Sequence, residues 1–135
     1  MNEEVRTLVR YRMERALETL EEARLLLASG HTNTYVNRLY YACFYAVSAL
    51  LLLRGKAFAK HSGIRSAFHQ EFVRSGMVSR ELGQLYDRLF DNRQKADYAD
   101  LVVFSPEDVM PWLEETVEFV QALAEITRKE MDIAE

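Results

Sequence analysis

Apolar residues recur along this chain at intervals of three and four, and the pattern is interrupted at Ser29-Gly30, Arg54-Gly55, Ser75-Gly76 and Ser105-Pro106. That period is the signature of amphipathic α-helix. The first predicted helix runs from Glu3 to Ala28, with Val5, Leu8, Met13, Ala16, Leu17, Leu20, Ala23 and Leu27 on its inward stripe. A second begins near Thr32 or Asn33, either of which suits an N-cap, and stops at Arg54-Gly55. Its middle is apolar almost all round, which marks a central helix contacted on several sides. Ser62 is the expected cap of a third helix ending at Arg74, and Ser79 that of a fourth carrying Leu82, Leu85, Tyr86, Leu89 and Phe90 on one face. Ser105-Pro106-Glu107-Asp108 opens the last helix, with proline at its first position and acids facing its dipole. Val109, Leu113, Val117, Val120, Leu123 and Ala124 are its expected inward positions, and Pro111 predicts a kink or a later start. These elements predict an all-α fold, an antiparallel up-and-down bundle of about five helices forming one domain over residues 1–135.

Two polar residues break the apolar stripes. Continuing the fourth helix's face from Leu89 lands on Arg93, and four residues further on Asp97, a spacing at which the two can pair. Arginine does not lose its charge, so a buried Arg93 needs a carboxylate or an anionic ligand. A salt bridge and an anion site both fit that requirement. Asn37 heads the second helix's stripe of Tyr40, Tyr41, Phe44 and Ser48 and also requires a partner, which the cluster around Arg93 can supply. Tyr40, Tyr41 and Tyr45 read first as core residues, with base stacking as the alternative.

Composition changes this picture only modestly. The chain has 135 residues, 49% hydrophobic and 28% charged, with a net charge of −4. The charge is uneven: Arg38, Arg54, Lys56, Lys60, Arg65 and Arg74 face only Glu71 between His31 and Gly76, and all three histidines lie in that segment. Such a patch can meet RNA or a nucleotide phosphate, or the protein's own acidic last helix. Lys60 and His61 sit where this basic loop meets a helix start, a place suited to phosphate. The single cysteine, Cys43, permits no internal disulfide and reads as a buried thiol. No metal or cofactor motif is present, nor a P-loop, Rossmann glycine pattern or nucleophile elbow. The stretch Leu39–Leu53 is shorter than a membrane span, and the acidic start is unlike a signal peptide, so a cytoplasmic protein without a membrane partner is expected.

Five segments in order then carry a resemblance: Asn37-Arg38-x-Tyr40-Tyr41-Ala42-x-Phe44, Lys60-His61-Ser62-Gly63, Phe72-Val73-x-x-Gly76, Leu89-Phe90-x-x-Arg93 and Asp97-Tyr98. Together they resemble the HEPN domain family, in particular its short stand-alone prokaryotic branch. The resemblance implies a helical bundle that pairs as a homodimer. It also implies a toxin neutralised by a minimal nucleotidyltransferase antitoxin, or a binder of nucleotide or RNA that does not cut. Active members use an arginine and a histidine four to six residues later in metal-independent RNA cleavage. Arg93 matches that arginine and Gln94 the polar residue after it, but the positions for the histidine hold Tyr98, Ala99 and Asp100. Arg24 to His31 and Arg54 to His61 have similar spacing but cross helix ends. Asp97, Tyr98 or His61 is the candidate substitute for the missing group. Tyr98 also lies near a tyrosine that the antitoxin of some related toxins modifies with AMP. Three functions remain open: a ribonuclease toxin, a non-catalytic nucleotide- or substrate-binding partner of a nucleotidyltransferase, and a structural dimer with Arg93 in a salt bridge.

Overall fold

A computed structural model describes residues 2–98 and 102–134. Its helices are α1 (Glu3–Ala28), α2 (Thr32–Leu53), α3 (His61–Phe68), α4 (Arg80–Tyr98), α5 (Pro106–Val109) and α6 (Trp112–Ala134). A single π-turn, His69–Val73, extends α3, and among the described residues there is no strand. The five predicted helices are therefore present, the last divided in two at Met110-Pro111, where proline supplies no N–H to the helix.

Asn2 caps α1 by accepting the Val5 N–H at 2.8 Å. At its other end Gly30, with φ at 82°, lets the Gly30 and His31 N–H groups fold back onto the Leu27 and Leu26 carbonyls. Gly55 closes α2 in the same way, its own N–H reaching Leu52 and that of Lys56 reaching Leu51. Three expected caps differ in detail. Helix α2 starts at Thr32 with His31 in the capping position, because the Asn33 side chain is used elsewhere. It donates to the Val102 carbonyl at 2.7 Å and accepts the Phe104 N–H at 3.1 Å, tying the chain after α4 to α2. Helix α3 starts one residue before Ser62, with Lys60 as N-cap, and Ser105 caps α5 through its backbone alone. Ser79 does cap α4, accepting the Leu82 N–H at 3.2 Å.

Helix α2 is the centre of the bundle, packed against α1, α4 and α6. Its 22 residues are long and apolar enough to cross a membrane by length and composition, which corrects the expectation drawn from Leu39–Leu53 alone. In this fold its apolar surface is covered by the other helices, and Tyr35, Leu39, Tyr40, Cys43 and Leu50 are fully buried. Phe68, Tyr86 and Phe119 form the aromatic middle of the core, with ring centroids 5.3–5.7 Å apart. Leu8 and Leu17, placed on the inward stripe by spacing, are 40% and 50% exposed, and Val9 takes the inward position instead. Thr19, Thr116 and Thr127 are buried because each hydroxyl donates to the carbonyl four residues back in its own helix.

Candidate functional site

Three helices converge on the ring of Tyr40. The ring is fully buried on α2, where the stripe of Tyr40, Tyr41 and Phe44 turns toward α3 and α4. From α4, the Arg93 guanidinium lies over it, 4.9 Å from the centroid. From the first residue of α3, His61 reaches its hydroxyl: the Tyr40 oxygen and His61 Nδ1 are 2.8 Å apart. Phe44 also stacks on the imidazole at 4.4 Å, and Tyr41 meets it edge-on at 6.0 Å. The histidine is thus held by rings and by one hydrogen bond.

The electrostatics follow from this packing. Burial lowers the His61 pKa below its ordinary 6.5, and the nearby Arg93 charge lowers it further. Burial also raises the Tyr40 phenol to about 12, with Arg93 working against that rise. Arg93 Nε is buried and has no hydrogen-bond partner, and among the described residues no carboxylate forms an ion pair with this guanidinium. Its attraction to the Tyr40 face is the contact it does make.

The i, i+4 pairing of Arg93 with Asp97 does not form. Asp97 instead accepts from Asn37 Nδ2 at 2.8 and 3.0 Å, which supplies the partner that Asn37's place on the stripe requires. The Asn37 oxygen in turn accepts from Arg38 Nε and Nη2 at 2.9 and 2.7 Å, and Arg38 lies 3.5 Å from Glu22 on α1. This chain links α1, α2 and α4 beside the Arg93 guanidinium and leaves the arginine itself out. Lys60 is exposed next to His61 and makes no ion pair among the described residues. Tyr98 is 75% exposed at the end of α4. Ala99 and Asp100, the other two positions at the family's histidine spacing, lie outside the described residues.

Much of the basic segment is neutralised within the chain. Arg54 pairs with Glu130 of the acidic α6 at 2.6 Å, Lys56 with Glu71, and Arg65 with Asp87 at 3.6 Å. His69, which has no distinctive sequence context, lies 2.9 Å from Asp87. Spacing identified Arg93, Asp97 and Asn37 as candidates, and His61 stood out by its place at the helix start, as one of three candidates for the group beside Arg93. Tyr40 read first as a core ring, with base stacking as the alternative, and Phe44 only as part of the segment that carries the family resemblance. An unpaired arginine over a tyrosine whose hydroxyl meets a histidine, itself stacked on a phenylalanine, is a property of the packing.

The model of the HEPN domain matches residues 9–127 of this chain. The chain belongs to the HEPN family. A UPF0332 protein of Thermotoga maritima is 44% identical over 126 residues, 93% of this chain and 95% of that protein. Two proteins of Methanocaldococcus jannaschii, each named "putative toxin", are 33% and 32% identical. The first alignment covers 71% of this chain and 65% of the relative, the second 73% of both. The HEPN match contains every residue of the Tyr40 site, from Asn37 to Asp97.

Proposed function

We propose that this HEPN protein is the toxin-like half of a pair with a minimal nucleotidyltransferase, and that it acts on RNA at the Arg93–Tyr40–His61 site as a cytoplasmic homodimer. The relatives named as toxins support the first part. The observation that carries the second is the unpaired Arg93 guanidinium, seated on a buried ring whose hydroxyl meets a histidine. Arginine's planar fork suits two phosphate oxygens, and histidine moves protons near neutral pH.

In this reading Arg93 faces the non-bridging oxygens of a phosphodiester. The His61 tautomer that works is the one whose Nδ1–H donates to the Tyr40 oxygen, leaving Nε2 as the acceptor. Nε2 takes the proton of the ribose 2′-hydroxyl as its oxygen bonds to phosphorus. The phosphorus–5′-oxygen bond breaks, and that proton passes through solvent to the leaving 5′-oxygen. The products are a 2′,3′-cyclic phosphate and a 5′-hydroxyl, with no net proton change. Lys60 supplies charge for a flanking phosphate. Asp97, held by Asn37, fixes the end of α4 next to Arg93. Tyr98 is the accessible phenol on which the partner would place a nucleotidyl group.

A second reading, binding of RNA or nucleotide without cleavage, is favoured by one specific fact: no histidine follows Arg93 in the sequence. Incubating RNA with the protein in a chelator separates the two. Wild type is expected to generate 2′,3′-cyclic phosphate ends, and Arg93→Ala to do so about a hundredfold more slowly, the scale of losing one preorganised donor to a developing charge. Equal rates for the two proteins would overturn the site. Salt-sensitive binding by wild type without any cleavage would select the second reading.

A further inference from the structure

Phe44, which stacks on His61, also lines a cavity of about 260 Å³ walled by α1, α2, the loop after α2 and α3. It is unoccupied by any part of the chain. Phe44 and Tyr45 of α2 and Phe58 of the loop supply its rings, Arg12 supplies its uncommitted cation, and Lys56 on its wall is paired with Glu71. We infer that this cavity takes one unpaired base of a single-stranded RNA, next to the phosphate held at Arg93. The inference rests on the RNA reading above and names the substrate's form.

Four observations converge on it. The volume is just below the roughly 300–1,000 Å³ of pockets for whole small ligands, and so suits one planar ring. The polar groups on its walls are mainly donors, which match the carbonyl oxygens and ring nitrogens of a base. Arg12 donates to the Ser48 carbonyl at 3.4 Å and has no carboxylate partner among the described residues, so its remaining donors are uncommitted. Phe58 is held in place although 40% exposed: a Cβ on Gly63 would stand 3.3 Å from its ring, so the glycine of Lys60-His61-Ser62-Gly63 makes room for it.

The fourth is continuity with the Arg93 site. Phe44 is a shared wall, lining the cavity and stacking on His61. Along the same helix, Arg93 lies over Tyr40, Arg38 over Tyr41 and Arg15 over Tyr45, at 4.9, 5.1 and 5.3 Å, the last two arginines also pairing with Glu22. Rings interleaved with cations are what a single strand needs, since its bases stack and its phosphates require charge. A base already paired in a duplex presents neither a free stacking face nor a free Watson–Crick edge to such a cavity.

The test uses a short, labelled 2′-O-methyl oligoribonucleotide, which lacks the attacking hydroxyl and stays intact. Its anisotropy is compared with that of an abasic strand of equal length and of the duplex. Wild type is expected to prefer the single strand about tenfold over both, the scale of one stacked base. Phe58→Ala and Arg12→Gln should each reduce that preference, Phe58→Ala to near unity, without changing affinity for the abasic strand. Arg93→Ala should weaken all strands alike. If wild type does not distinguish base-bearing from abasic strands, or if Phe58→Ala binds as wild type does, the pocket is overturned while the RNA reading stands. Displacement of the strand by AMP at equal concentration would assign the cavity to a free nucleotide and overturn the strand. Failure of wild type to bind any strand would overturn the RNA reading and the pocket with it.

Discussion

Replacing His61 by glutamine is expected to slow RNA cleavage by about 10²–10⁴, the usual contribution of a positioned acid–base group, while affinity for uncut RNA stays close to wild type. Glutamine preserves a polar group at the first turn of α3 and can still meet the Tyr40 hydroxyl, but it does not take a proton at neutral pH. The change therefore separates proton transfer from phosphate binding, which is assigned to Arg93. The pH dependence carries the same logic. Burial and Arg93 both hold the His61 pKa below 6.5, so the neutral imidazole persists on acidification past the point where an ordinary histidine is protonated. Cleavage should rise with pH and level off below pH 6.5. A rate that is flat through the acid range, or a His61→Gln protein as fast as wild type, would remove His61 from the reaction.

The second large effect concerns stability. Phe119→Ala should lower the free energy of unfolding by about 3–5 kcal/mol, the range for deleting a buried aromatic ring. Phe119 is fully buried on α6 and meets both Phe68 and Tyr86. Tyr86 stacks on Tyr40 with centroids 6.0 Å apart and planes within 9°, so the ring beneath Arg93 rests on this aromatic group. Since small domains unfold with about 5–15 kcal/mol, the loss is a large share of the total. Guanidinium unfolding followed by circular dichroism measures it. A loss below about 1 kcal/mol would mean that the surrounding rings close the cavity and that Phe119 is not the support described.

These two residues differ in how they were legible. Helix ends were readable because Ser29-Gly30 and Arg54-Gly55 act locally: a left-handed glycine ends a helix whatever surrounds it. Phe119 escaped because the inward stripe of the last helix was phased from Val109. The break at Met110-Pro111 resets that phase, so Thr116, Phe119, Val120, Leu123 and Thr127 face the core, while Leu113 and Val117 lie at its edge. Arg93 announced itself as a charge on an apolar stripe. Which of Asp97, Tyr98 and His61 meets it was not legible, because 32 positions and two helix boundaries separate His61 from Arg93 and no periodicity spans that distance. The pairing expected from i, i+4 spacing also failed for a tertiary reason. Asp97 is within reach of Asn37 across the bundle, and that contact holds it instead.

The central claim is that Arg93 and His61 act on one phosphate. Titrating the His61 imidazole by nuclear magnetic resonance, with and without an uncleavable 2′-O-methyl dinucleotide, tests it most directly. In the free protein the pKa should lie below 6.5, and the bound phosphate, by offsetting the Arg93 charge, should raise it. In Arg93→Ala the free value should already be higher, and the ligand should no longer move it. A His61 pKa that is unchanged by the dinucleotide, and the same in wild type and Arg93→Ala, would contradict the account.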